Sequence, residues 1–182
     1  EGLCRLASEK YSYSSDTLDD EFVHLTNYSI NKHNENFVPN VDEAADGTGG
    51  KWSLRALRHH LEVALGVDVP SLWKRIDDLV VKTMIAIEAQ VNNGCELCKV
   101  PHRKSCFELF GFDILIDDLL KPYLLEVNFS PSLACDSPLD LKIKAAVVSD
   151  TLNLAGVPVM VPLSKQERQE ERRRRQQQGE EG

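Results

Sequence analysis

The sequence predicts an α/β (α+β) fold in which an antiparallel sheet is flanked by helices. Three observations point to it. Two apolar runs, FELFGFDILID at 107–117 and YLLEVNFSPSL at 123–133, are separated by DDLLKP at 117–122, whose Asp and Pro break the pattern and suit a β-hairpin. Residues 52–65 and 70–91 carry apolar side chains at helical intervals. Finally, SPLD at 137–140 supplies an N-cap serine, a proline at the first helical position and an acid at the third.

Along the chain, residues 1–50 are short apolar pieces between polar loops, and DEAADGTGG at 42–50 has the composition of a surface loop. The helix at 52–65 places apolar residues at 54, 57, 61, 64 and 65 and is followed by Gly66 as a stop. The longer helix at 70–91 begins after Asp68 and repeats the stripe at 72, 73, 76, 79, 80, 84 and 87. The hairpin follows at 105–129. Four loop residues between Asp117 and Pro122 set Asp117 against Pro122, Leu115 against Leu124 and Asp113 against Glu126. A last helix is expected from Ser137 to about Ala155, stopping at Gly156. Beyond Val161 the composition shifts. SKQERQEERRRRQQQGEEG at 164–182 is almost without apolar residues and carries six positive and five negative charges, so it cannot pack as core. A domain of 1–161 followed by a charged tail, 162–182, helical or disordered, is the expected division.

The bulk properties bound the function. The 182 residues are enough for one domain with a substantial core, and 42% hydrophobic with 27% charged residues is an ordinary globular composition. A net charge of −8 argues against general binding to nucleic acid or to a membrane surface. The sequence has no run of 18 apolar residues, and neither a membrane span nor a secretory leader is expected. Five irregularly spaced cysteines suit a reducing cytosol better than a disulfide framework.

The second hairpin run poses a chemical problem. It reads as a buried strand, yet Glu126 and Asn128 lie two residues apart and therefore on one face. An unpaired buried carboxylate is costly, and the predicted pairing sets Asp113 directly opposite Glu126, which is repulsive. A divalent cation between the two acids reverses that term. Mg²⁺ takes oxygen ligands, typically one or two carboxylates with nucleotide phosphates, and Asp113, Glu126 and Asn128 supply such a set. The competing reading is a sheet edge at which two acids sit in water.

Several blocks together resemble a known family. E-x-N-x-x-P at 126–131, with an Asp on the preceding strand, looks like the magnesium site of the ATP-grasp ligases. HLTNYSINK at 24–32, KWSL at 51–54, FELFGFD at 107–113, LLEVNFSPSL at 124–133 and SPLDLKIK at 137–144 are similar to the tubulin tyrosine ligase-like family, and the wording NYSINK and SPLDLKIK to its glutamylating branch. The resemblance covers roughly residues 1–157 in consistent order. It implies an ATP-grasp-like fold and an ATP-dependent protein glutamate ligase, a tubulin polyglutamylase acting through an acyl phosphate. ATP and Mg²⁺ are the implied cofactors. The implied partners are free glutamate and tubulin or microtubules, reached through their acidic C-terminal tails, in a monomer that binds neither nucleic acid nor membrane. The implied location is the cytoplasm and cytoskeleton, including cilium, basal body or flagellum.

Carried over by position, the resemblance makes Asp113, Glu126 and Asn128 the Mg²⁺–ATP ligands. It makes Arg5, in EGLCRLASE at 1–9, a group near the phosphate and acceptor, and it places Thr26 and Asn27 in a loop beside the transferred phosphate. His24 reads as a packed histidine. Lys32 and Lys142 or Lys144 read as solvated charges or as groups that orient an anionic substrate. The family's catalytic domain is longer and starts well before Glu1, so the fold is expected to be incomplete, lacking the part that grips the α- and β-phosphates and adenine. The chain alone is expected to bind ATP poorly and to be inactive. A reading from a different class is a non-catalytic microtubule-binding module stabilised by zinc. Cys95, Cys98, His102 and Cys106 in GCELCKVPHRKSC at 94–106 are its candidate ligands. Arg172–Arg175 is a candidate contact for an acidic polymer lattice, or else a solvated end.

Overall fold

The first strand, β1 (Leu3–Arg5), finds its partner in β2 (Lys51–Ser53), antiparallel, with Leu3 opposite Ser53 and Arg5 opposite Lys51. The computed structural model describes residues 1–39, 46–100 and 106–156. Between the two strands lie single-turn helices α1 (Glu21–His24) and α2 (Tyr28–Asn31). Asp20 caps α1 by accepting the Phe22 N–H at 2.9 Å. His24 has the structural role expected of it, with Nε2 2.8 Å from the Thr17 carbonyl and its ring edge-on to Tyr11.

The helix expected at 52–65 begins two residues later, because β1 recruits Trp52 and Ser53 into a strand. Ser53 becomes the N-cap of α3 (Leu54–His59), its Oγ accepting the Ala56 N–H at 2.9 Å and donating to Asp46 at 2.6 Å. A π-helical turn, His60–Ala64, continues α3 to Gly66 in the left-handed region at φ +65. That wider turn rotates the end of the apolar stripe outward, so Leu61 is buried while Ala64 and Leu65 are exposed.

Helix α4 (Val69–Leu97) starts at the Asp68 cap, where Ser71 donates both its backbone N–H and its hydroxyl. All seven predicted stripe positions are buried or half-buried, with Leu72 fully so. The helix runs six residues past its expected end, straight through Gly94. A glycine weakens a helix by about 1 kcal/mol but stops it only when it adopts the left-handed conformation, and here that role falls to Lys99 at φ +51. Leu61, Val69 and Leu72 form one buried core cluster, joined by Trp73, Ile76, Ile116 and Leu120. The Arg58 guanidinium lies 4.1 Å from the Trp73 ring centroid and clamps α3 to α4.

The hairpin is present as β3 (Phe110–Ile116) and β4 (Pro122–Phe129). Asp113 opposes Glu126, as the pairing predicted, but the route differs. The Asp117 backbone N–H donates to the Lys121 carbonyl at 3.1 Å, so the loop holds three residues, with Leu120 left-handed at φ +61. The Asp117 side chain accepts the N–H groups of Leu119 and Lys121, and the Leu120 side chain is anchored in the core, which offsets its strained backbone. The shorter loop shifts the register by one, giving Leu115 opposite Tyr123 and Ile114 opposite Leu124. A bulge at Leu125 then restores the 113–126 pair. Antiparallel pairing and flanking helices are as expected, with the strands divided among the described residues into two two-stranded ladders.

Helix α5 (Pro138–Ala155) has its expected limits, with Ser137 as N-cap and Gly156 at φ +70 ending it. Leu139, Asp140 and Ile143 are buried. Asp140 is 1% exposed and meets Lys51 Nζ at 2.7 Å, bridging α5 to β2. Burial alone would raise the Asp140 pKa, but the Lys51 and Ser137 hydrogen bonds outweigh it and hold the carboxyl below its ordinary value. Stability from this group is therefore fully present above the ordinary carboxylate value of about 4 and is lost as pH falls through the lower folded value. Lys51→Met leaves Asp140 buried and unpaired. Chemical denaturation at neutral pH should show a loss of about 3–5 kcal/mol, and Lys51→Met/Asp140→Leu should recover most of it. A single variant as stable as the wild type would show that the pair does not hold α5 in place.

Candidate active site

The site grows from the hairpin face that carries Asp113, Glu126 and Asn128. Strand alternation puts Glu126 and Asn128 on one side, and the bulge at Leu125 brings Asp113 across from Glu126. Asn128 Nδ2 lies 3.4 Å from Asp113 Oδ2 and 3.2 Å from Glu126 Oε1. The two carboxylate oxygens are thus no farther apart than those distances laid end to end, and an ion ligated by both at about 2.1 Å would draw them to within about 4.2 Å. The expectation of a buried strand is corrected here. Asp113 and Glu126 are exposed and Asn128 half-buried, because this face of β4 has no covering layer among the described residues.

The two acids feel each other nonetheless. Partial burial pushes the Asp113 carboxyl above its ordinary value, the hydrogen bond and negative charge of Glu126 add to that, and Asn128 and the Arg5 guanidinium oppose it. The donor set fits a hard cation, with two carboxylates and an amide that presents Oδ1 on a half-turn of its terminal torsion.

Pro131, which ends the E-x-N-x-x-P stretch, has a contact that explains it. A Cβ on Gly111 would stand 2.8 Å from Pro131 Cβ, so the proline ring lies where a side chain at 111 would be. Gly111 pairs with Asn128, and Ser130 turns through a left-handed φ of +49 to bring the ring over it. Glycine within a strand marks such an approach. The sequence thus carried a signal that the hairpin reading passed over.

Arg5 stands at the end of β1, exposed and close enough to Asp113 to act on its charge. It shares with Thr26, Tyr28, Asn31 and Lys51 the lining of a cavity of about 130 Å³. That volume suits a carboxylate or a small anion but not a nucleotide, for which sites of about 300 Å³ or more are usual. Lys51 Nζ lies 5.6 Å from the Tyr28 ring centroid, and its cationic head borders the same space. The Thr26 hydroxyl makes no hydrogen bond among the described residues. Asn27 is not brought into the cleft. It is the exposed N-cap of α2, where its carbonyl rather than its amide is used.

Other candidates separate. Lys32 is exposed and stands 5.9 Å from the Tyr28 ring centroid, whereas Lys144 donates to the Ala134 carbonyl and is structural. Of the zinc candidates, Cys95, Cys98 and Cys106 are free thiols, and His102 lies outside the described residues, as does the 162–182 tail. No group of three or more metal-binding His, Cys, Asp or Glu side chains occurs among the described residues. No helix there is long and apolar enough to cross a membrane. The groups that sequence reasoning missed are the buried Asn31 and the Lys51–Asp140 pair, both quoted only as parts of longer motifs.

Residues 1–169 match the tubulin-tyrosine ligase family. Relatives include a tubulin polyglutamylase of Mus musculus (TTLL5), 46% identical over 165 residues, which cover 91% of this chain and 12% of that protein. A tubulin monoglutamylase of Mus musculus (TTLL4) is 50% identical over 156 residues, 86% of this chain and 13% of its own length. A tubulin polyglutamylase of Danio rerio (ttll6) is 41% identical over 157 residues, 85% of this chain and 19% of its own length. The chain therefore spans about an eighth to a fifth of these relatives.

The Asp113–Glu126 coupling can be tested without a substrate. Removing the Glu126 charge with Glu126→Gln should bring the Asp113 pKa down toward the ordinary carboxylate range, followed by its carboxyl ¹³C shift. An Asp113 titration that does not move would separate the two groups.

Proposed function

The chain belongs to the tubulin-tyrosine ligase family, and on that footing we propose that it contributes the metal–phosphate half of an ATP-dependent ligase that joins glutamate to side-chain carboxylates of tubulin. The observation that carries the reading is the convergence of Asp113, Glu126 and Asn128 on one hairpin face, with the Arg5 charge bearing on it. The identity of 41–50% to proteins named tubulin glutamylases supports the same reading.

The chemical difficulty is to bring several anions together. Asp113, Glu126 and Asn128 would hold Mg²⁺, which would supply positive charge to offset that of the ATP phosphates. Arg5, which lines the small cavity, offsets the charge of the acceptor and of the phosphoryl group in transfer. The Thr26 hydroxyl donates to a phosphoryl oxygen. An acceptor γ-carboxylate takes the γ-phosphoryl of ATP, and ADP leaves. The amine of free glutamate then attacks the acyl carbon. The C–N bond forms as the C–O bond to phosphate breaks, inorganic phosphate departs, and the nitrogen gives up a proton. Asn27, whose exposed side chain is not engaged in capping α2, is available to donate its amide to an anion held beside Thr26. The acceptor is an acidic tubulin tail, and the site of action is the cytoskeleton.

The test is incorporation of labelled glutamate into tubulin by the full-length protein with ATP and Mg²⁺. Glu126→Gln should lower turnover by at least about a hundredfold, the scale of a lost charge-stabilising group. Wild-type turnover in that variant would remove Glu126 from the mechanism. The 162–182 segment acts at a distance, on the polymer. Deleting residues 164–182 should leave turnover on short glutamate-rich peptides unchanged and weaken microtubule binding, the more so at low salt, because exposed charges are screened within about 8–10 Å at physiological ionic strength. If neither assay changes at either salt concentration, the arginine run has no part in substrate binding.

A further inference from the structure

Asn31 lies beneath the candidate site and is 2% exposed, although an amide of this kind is rarely buried without a full set of partners. It has such a set. Its Nδ2 donates to the carbonyl of Leu25 at 2.7 Å and to that of Asn27 at 3.1 Å. Its Oδ1 accepts the backbone N–H of Ser8 at 2.9 Å and the Ser8 hydroxyl. Two donors and two acceptor positions are all that an amide side chain offers, so none is spare.

The identity of the partners matters more than their number. Leu25 and Asn27 are the two neighbours of Thr26, and Asn31 grips the backbone on both sides of it. Ser8 follows Arg5 closely in the chain, just beyond β1. The same side chain lines the cavity that Arg5 and Thr26 share. Its own backbone N–H also bonds the Asn27 carbonyl at 2.9 Å, so the loop and the start of α2 are one hydrogen-bonded unit.

We propose that Asn31 is a positioning residue, which fixes the Thr26 loop against the Arg5 segment so that hydroxyl and guanidinium reach one phosphoryl group together. The proposal rests on the ligase reading for its kinetic consequence and on geometry alone for its structural one. Loss of the Nδ2 donors leaves the Leu25 carbonyl without its partner and the Asn27 carbonyl to the backbone N–H groups of Ile30 and Asn31 alone, which frees the loop to shift. Displacement of a reacting group by about 1 Å is enough to cost a large factor in rate. Substrate affinity, set elsewhere, should be little affected.

The test uses the full-length protein, tubulin, ATP, Mg²⁺ and labelled glutamate, with Asn31→Asp and Asn31→Ala. Asn31→Asp keeps the size and the Ser8 bonds but loses both donors. At pH 8 its kcat should fall at least about 30-fold with KM for tubulin within about twofold, and the deficit relative to wild type should narrow as pH falls, because a protonated Asp regains one donor toward a carbonyl. A kcat within about threefold of wild type, or a deficit that does not depend on pH, would overturn the proposal. So would global unfolding of Asn31→Asp, which would make Asn31 a residue of the fold rather than of the site. If the wild-type protein does not ligate glutamate, the functional reading fails and backbone amide exchange decides the rest. Asn31→Ala should then speed exchange across 6–9 and 25–28 and leave α4 and the hairpin unchanged, while unchanged exchange at those two segments would contradict the geometry.

Discussion

The buried ion pair between Lys51 and Asp140 sets the relation between the N-terminal ladder and the C-terminal helix. Lys51 projects from β2, directly opposite Arg5 on β1, so the ladder carries two cations face to face. Opposed like charges are unfavourable in a strand pair unless something answers them. Asp140 answers Lys51 through a contact of 2.7 Å, and Asp113 answers Arg5 through a longer field effect. Asp140, from far along the sequence, thus ties β2 to α5, while Arg5 stays exposed with its charge bearing on Asp113.

That arrangement divides the site into two halves of opposite need. On one side Asp113 and Glu126 gather negative charge, and partial burial together with the Glu126 charge raises the Asp113 carboxyl above its ordinary value. On the other, Arg5 and Lys51 border a small cavity suited to a carboxylate. A reaction that assembles a polyanionic nucleotide with anionic substrates calls for both halves side by side. Asn31 and the Gly111–Pro131 contact do not touch that chemistry. They fix, respectively, the Thr26 loop and the turn after Asn128.

The parts of this structure legible in the sequence were those with a local cause. The α5 limits follow from Ser137, Pro138 and Gly156, and the buried stripe of α4 follows from its 3.6-residue spacing. The Asp113–Glu126 pair was legible too, but by a sum that holds only because two departures cancel: a loop one residue shorter than expected and a bulge at Leu125. Neither departure has a strong sequence signal, since the left-handed residue is Leu120 rather than glycine, held there by core contacts. The β1–β2 ladder was missed because three-residue strands carry too little alternation to read, and it displaced the start of α3. Asn31 and Lys51–Asp140 were missed because their partners lie far along the chain or on backbone carbonyls, which no spacing rule encodes.

The claim on which the rest turns is that the hairpin acids hold the metal that accompanies the nucleotide. Mn²⁺ can stand in for Mg²⁺ at an oxygen site and be followed by electron paramagnetic resonance. With the full-length protein and a non-hydrolysable ATP analogue, the account predicts tight Mn²⁺ binding that weakens by at least about tenfold in Asp113→Asn/Glu126→Gln, roughly 1.4 kcal/mol or more. Mn²⁺ held as tightly by the double variant as by the wild type would contradict it.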